Sequence, residues 1–154
     1  NDLPVLRALV VEDNLDDAQT IANVLNRVYR LHWRRVDKLQ TMKAAMQSGW
    51  DVILCDYLLP DFPWPMPLRI AQNAICNVPF IVVSGVIGAT DAAGLAAIRD
   101  GAWDVISKTN LSHLNHVVGR ELIRAQTLAM HYEEVALLKE VLEKSKTQIE
   151  ALQR

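Results

Sequence analysis

From residue 6 to about residue 122, strand-like apolar runs alternate with helix-period patterns. This alternation admits few folds. Strands joined by helices pair in parallel through right-handed crossovers, and the helices cover both faces of one sheet. A doubly wound α/β sheet is the expected result. Four of the runs end in reactive side chains: Ala8 to Val11 in Glu12-Asp13, Val52-Ile53-Leu54-Cys55 in Asp56, Phe80 to Val83 in Ser84, and Val105-Ile106-Ser107 in Lys108. In an open parallel sheet, ligands bind outside the carboxyl ends of the strands, so these separate stretches deliver their side chains to one crevice.

Between the runs, Asn14 is suited to cap a helix whose apolar residues Leu15, Ala18, Ile21, Ala22, Leu25 and Val28 recur at helical spacing. Leu31 to Val36 reads as a short strand with Trp33 on one face, and Leu39, Met42, Ala45 and Met46 as the stripe of a second helix ending near Gly49. After Asp56, the prolines Pro60, Pro63, Pro65 and Pro67 impose an irregular, rigid loop beside the site. A short third helix from about Pro67 to Ala74 follows, and Pro79 introduces the strand Phe80 to Ser84. Gly85-Val86-Ile87-Gly88 turns the chain into a small-residue helix, Asp91 to Asp100, with Gly101 as its stop. Trp103 to Ser107 is the last expected strand, and Asn110 is placed to cap the last helix.

That last helix continues well past the end of the alternation. Leu111 to Arg154 contains no proline, and its one glycine is Gly119. Leu128, Val135, Leu142 and Ile149 recur every seven residues, with Leu138 and Leu152 on the intermediate seam, which His131 and Ser145 interrupt. A parallel helical pair is expected; the alternative is an amphipathic helix folded back on its own domain or on a missing neighbour. The expected division is a domain over residues 5–122 and a helical extension over 123–154. Because the chain ends inside a helical pattern, it reads as a piece of something longer, with an output domain expected beyond it.

With 16 basic and 18 acidic residues, the net charge of −2 offers no electrostatic footprint for nucleic acid or an anionic membrane. Cys55, inside a strand run, and Cys76, near an expected loop, form neither a disulfide framework nor a metal-ligand cluster, which favours a reducing compartment. No apolar stretch reaches the roughly 18 residues of a membrane span, and the N-terminus lacks a signal-peptide pattern. A cytoplasmic location is expected.

Carboxylates held close together repel each other unless a cation neutralises them. A hard divalent ion such as Mg²⁺, with Mn²⁺ able to stand in, needs oxygen ligands, and two carboxylates plus a backbone carbonyl are a sufficient protein share. Ser84 and Lys108 are suited to hold phosphoryl oxygens, and an aspartate beside such a site can itself be the nucleophile, forming an acyl phosphate.

Glu12-Asp13, Asp56, Ser84 and Lys108, in this order and at strand ends, resemble the receiver domain of two-component response regulators (CheY-like superfamily). Longer strings carry the same resemblance: Leu9-Val10-Val11-Glu12-Asp13-Asn14, Asp56-Tyr57-Leu58-Leu59-Pro60, Val83-Ser84-Gly85 and Gly101-Ala102-Trp103-Asp104. The resemblance implies a flavodoxin-like five-stranded parallel sheet, order 2-1-3-4-5. It implies that Asp56 accepts a phosphoryl group from a phosphohistidine on a sensor histidine kinase or phosphotransfer protein. Asp13, Asp56 and the Leu58 carbonyl would bind Mg²⁺, with Glu12 acting through a water. Lys108 and Ser84 would bind phosphoryl oxygens, and Gly85 would keep the pocket wall low.

Three departures bear on how a signal leaves the site. Val105 stands where the family usually has a switch aromatic, and Trp103, two residues earlier, shares its strand face. Phe62 to Pro67 is proline-rich where a glycine and a helix start are commoner. Lys108-Thr109 replaces the usual Lys-Pro pair. Elsewhere, Asp61, Asp91 and Asp100 read as turn, first-turn and surface charges, Cys55 as a small buried residue facing away from Asp56, and His113 and His116 as surface groups. His131 reads as a polar seam residue. Three functions follow as alternatives: a working, non-enzymatic phosphoacceptor signalling through its C-terminal helix to a dimer partner or output domain; a non-switching interaction module; or a Mg²⁺-dependent phosphohydrolase. The dehalogenase-like form of the third needs an acid two residues after its nucleophile, where this chain has Leu58.

Overall fold

A computed structural model describes residues 2–74, 77–88 and 90–154; Cys76 lies outside them. Five strands, β1 (Val5–Val11), β2 (Arg30–Val36), β3 (Val52–Cys55), β4 (Phe80–Ser84) and β5 (Asp104–Ser107), form one parallel sheet in the order β2-β1-β3-β4-β5. They alternate with α1 (Leu15–Leu25), α2 (Leu39–Ala45), α3 (Met66–Ala74), α4 (Ala92–Asp100) and α5 (Leu114–Leu152). This is the flavodoxin-like arrangement.

Successive residues of a strand face opposite sides of the sheet, and here both sides are covered. Leu9, Val11, Ile53, Cys55, Phe80, Val82 and Val105 pack under Met42, Leu68 and Ala97 of α2, α3 and α4. Ala8, Val10, Val52, Leu54, Ile81, Val83 and Ile106 pack under Ile21 and Leu25 of α1 and Leu114 and Val118 of α5. The near-continuous apolar runs of the central strands follow from this two-sided burial.

Two local expectations change, at the end of α1 and at the start of α5. Helix α1 stops at Leu25, and the amides of Val28 and Tyr29 bond back to the Leu25 carbonyl, so Val28 lies in the turn and is exposed, as is Leu15 at the helix start. Asn110 does not cap α5. The Ser107 side chain accepts the Thr109 N–H and starts a 3₁₀ turn over Lys108–His113, so the chain enters α5 from His113, and Asn110 instead accepts from the Ser112 hydroxyl. Helix α5 does not fold back on the sheet. Its buried residues are Leu114, Val117, Val118 and Glu121; Leu128 and Val135 are half-buried, while Leu138, Leu142, Ile149 and Leu152 are exposed. The segment after Leu122 therefore extends for roughly 45 Å as helix with its heptad seam unpartnered in the single chain.

Candidate functional site

Backbone pairing continues one residue past the central strands and sets the acids in place. The Glu12 N–H bonds the Val36 carbonyl and the Asp56 N–H bonds the Val11 carbonyl, each at 2.9 Å. Val11 and Cys55 are register partners, so Glu12 and Asp56 emerge side by side at the carboxyl edge of the sheet. Ser84 and Ser107 are likewise paired, and Lys108 follows the latter. Asn14 caps α1 by accepting the Asp17 N–H at 2.9 Å, which begins the helix immediately after the acidic pair.

Carboxylate oxygens of Glu12, Asp13 and Asp56 lie within 4.8 Å of one another. The Lys108 ammonium enters from the neighbouring edge and reaches Glu12 Oε1 at 2.5 Å, Asp17 Oδ2 at 2.7 Å and Asp56 Oδ2 at 3.2 Å. Glu12 is buried, with Oε2 accepting the Asn14 N–H at 3.2 Å. Burial, reinforced by the Asp56 charge, raises its carboxyl pKa to about 7 against the opposing pull of Lys108 and the Asn14 N–H. Burial acts the other way on Lys108, but bonds to Asp17 and Glu12 and the nearby Asp56 charge hold its ammonium well above the ordinary lysine range.

These residues fit a hard divalent cation. Three carboxylates converge, and they outnumber the ammonium beside them. Asp13 is exposed, the Asp56 side chain is 10% exposed, and Glu12 is buried.

The other candidate residues surround this cluster. Ser84 is fully buried, and its Oγ accepts the N–H groups of Val86 at 3.1 Å and Ile87 at 3.4 Å, which leaves the hydroxyl proton for a further acceptor. A Cβ on Gly85 would meet Lys108 Cδ at 3.9 Å, an ordinary contact, so the wall there tolerates a methyl group and would press on the lysine stem only with larger side chains. The Leu58 N–H donates to Asp56 Oδ1 at 3.4 Å and its side chain is exposed. Cys55 is buried on the opposite face, its thiol pKa pushed up by desolvation and the Asp56 charge. Asp91 accepts the Gly88 N–H within the turn after β4. His113 and His116 are exposed. Val105 is buried, and Trp103 is half-buried with the Arg124 guanidinium 4.7 Å from its ring centre.

Three features escape a reading of the sequence. Asp17 looks like an ordinary acid in the first turn of a helix, yet it reaches Lys108 across the crevice. Asp100 is no free surface charge: it accepts the indole N–H of Trp64, a residue of the proline-rich loop, at 3.0 Å. Glu121 on α5 is buried at the level of β5, with Arg120 and Arg124 as its ionic neighbours, where helical periodicity alone gives it no special place.

No protein-family model and no curated protein matches the sequence. Solved structures do match. The signal receiver domain of a Luxo repressor protein from Vibrio parahaemolyticus is 25% identical over 82% of this chain and 96% of its own, with a TM-score of 0.64. The receiver domain of a sensor histidine kinase from Pseudomonas aeruginosa, solved with a magnesium ion coordinated in its active-site cleft, is 21% identical over 77% of this chain and 98% of its own, with a TM-score of 0.65. A fusion carrying the trimeric coiled coil of yeast Spc42 is 20% identical, covers 100% of both chains and has a TM-score of 0.69. The strand order, the helices on both faces and these neighbours agree: the chain has the fold of response regulator receiver domains.

Proposed function

We propose that this chain is a phosphoacceptor domain of the response-regulator type, in which Asp56 takes a phosphoryl group from a phosphohistidine on a sensor histidine kinase or phosphotransfer protein. The observation that carries the reading is the convergence of Glu12, Asp13 and Asp56 within 4.8 Å beside an ammonium 3.2 Å from Asp56. An oxygen of Asp56 would bond to phosphorus as the bond between phosphorus and the donor imidazole breaks, giving an acyl phosphate. Asp13, Asp56 and the Leu58 carbonyl would hold Mg²⁺, with Glu12 acting through a water. When bound, the ion would supply the charge that lets dianionic phosphate approach a carboxylate. Lys108 and the free proton of Ser84 are suited to two phosphoryl oxygens, and Gly85 to the entrance wall.

On this reading the chain is a regulatory domain rather than an enzyme with an external substrate, and it works in the cytoplasm; no described helix is long and apolar enough to cross a membrane. Residues 5–122 would form the receiver unit, and residues 123–154 would carry its state to a second copy through a parallel coiled coil, or onward to an output domain. One observation favours a second reading, a receiver-like module that binds without switching: Val105 is buried in the core, and Arg124 covers Trp103, which the structure places just before β5 rather than in it.

The test is exposure to Mg²⁺ and a small phosphodonor, with acid- and hydroxylamine-sensitive labelling followed alongside oligomeric state. Labelling of the wild type that is lost in Asp56→Asn supports the assignment; labelling that persists in Asp56→Asn removes it. Labelling without any change in assembly or helix order selects the non-switching module.

A further inference from the structure

The Lys108 ammonium has three N–H donors, and three carboxylates take them: Glu12, Asp17 and Asp56. A fourth anion arriving on Asp56 must therefore displace one of them. Glu12 is not easily released, because it is buried and its second oxygen already accepts the Asn14 N–H. Asp56 is itself the group that carries the incoming anion. Asp17 remains. It sits at the crevice rim with its side chain 43% exposed, so water can replace the lysine at little cost. Its backbone N–H is bonded to the Asn14 cap in the first turn of α1, and its side chain reaches Lys108 at 2.7 Å. Its neighbour Asp16 is also an acid in the first turn of α1, but is exposed and forms no ion pair among the described residues.

We propose that Asp17 is a positioning residue that holds Lys108 in reserve, occupying one of its N–H donors until an anion bound at Asp56 displaces it. The inference rests on the phosphoacceptor reading of Asp56 and adds to it a residue that sets how readily the crevice accepts the anion. The same carboxylate also faces that anion with like charge, so both effects work in one direction. Neutralising Asp17 frees the lysine and removes the repulsion.

The experiment titrates the full chain with beryllofluoride at saturating Mg²⁺ and reads affinity by calorimetry. Asp17→Asn is expected to bind about two- to five-fold more tightly than wild type, the range set by a partly exposed ion pair. Asp17→Glu should stay near wild type, because it keeps the charge within reach of Lys108. Asp16→Asn is the control: it loses the same helix-terminal charge and the same small increment of thermal stability, but should leave affinity unchanged.

Unchanged or weaker anion binding in Asp17→Asn, or an equal shift in Asp16→Asn, overturns the proposal and leaves Asp17 as a first-turn acid. If wild type neither binds beryllofluoride nor labels at Asp56, the phosphoacceptor reading fails and takes this inference with it. If wild type does both while Asp17→Asn behaves identically, only the role of Asp17 fails.

Discussion

The indole N–H of Trp64 donates to the Asp100 carboxylate at 3.0 Å, fastening the proline-rich loop after β3 to the C-terminal end of α4. The Trp64 ring also stacks on Tyr57, the residue after Asp56, with centroids 5.6 Å apart, and lies 6.0 Å from the ring of Phe80. Replacing Trp64 by Phe keeps most of the apolar contact and removes the donor. A half-buried carboxylate that loses one charge-assisted bond should lower stability by about 1–2 kcal/mol. In denaturant unfolding, Trp64→Phe, Asp100→Ala and the double variant form a cycle. A coupling of about 1 kcal/mol is expected; strictly additive single effects would show that the bond contributes nothing.

Lys108→Ala leaves Glu12, Asp17 and Asp56 without their common partner. Because Glu12 is buried, the loss should destabilise the metal-free protein by roughly 1–3 kcal/mol, and Mg²⁺ bound with wild-type affinity should stabilise both proteins alike and leave that difference in place. Mg²⁺ affinity should be close to wild type, since the lysine addresses an anion rather than the ion, while beryllofluoride binding should fall sharply. Melting curves with and without Mg²⁺, together with both titrations, check this. Parallel loss of metal and anion binding contradicts the division of roles.

Glu12 gives the metal-free protein a pH dependence of definite sign. Its carboxyl pKa rises from the ordinary 4.5 to about 7 in the folded state, chiefly by burial. A carboxyl that holds its proton more tightly when folded favours folding below the unfolded pKa, and that contribution is lost as pH rises through the folded value. Stability without metal should therefore fall between about pH 4.5 and 7, by an amount on the order of 2 kcal/mol. Glu12→Gln should flatten the decline, and saturating Mg²⁺ should suppress it. Lys108 does not titrate in this window, because its pKa is raised from an already high value. Urea midpoints across the range test the sign, and a rise in stability toward pH 7 that depends on Glu12 contradicts it.

Much of this fold was legible because apolar run length and the groups that end each run are local properties. Val52 to Cys55 is too short for a helix and too apolar for a loop, and the residue that follows lands at the sheet edge whatever else the chain does. Helix ends were less readable. Val28 keeps the helical spacing, but the chain had already turned after Leu25, and Ser107 captured a backbone donor before Asn110 could serve as a cap. The contacts of Lys108 with Asp17 and of Trp64 with Asp100 span 91 and 36 residues. They exist because the crossovers bring α1 and the proline-rich loop against β5 and α4, and each acid has a sufficient local reason to be where it is.

The exposed seam of α5 gives the last prediction. Leu138, Leu142, Ile149 and Leu152 are open to solvent, and the segment that carries them makes little contact with the sheet domain. A projecting helix of this kind is marginal in water on its own, because propensity and local pairs such as Glu140 with Lys144 contribute only a few tenths of a kcal/mol each. On the proposed parallel pairing, a second copy would bury the seam and supply the stability that the single helix lacks. The full chain should therefore sediment as a dimer, and Leu142→Glu, which puts a charge at the centre of the seam, should shift it to monomer with a loss of helical signal in far-UV circular dichroism. The sheet domain should retain its cooperative unfolding and its beryllofluoride binding. A Leu142→Glu variant that keeps both its mass and its helicity would show that the seam is unused, while a three-stranded wild type would correct the stoichiometry and preserve the role of Leu142.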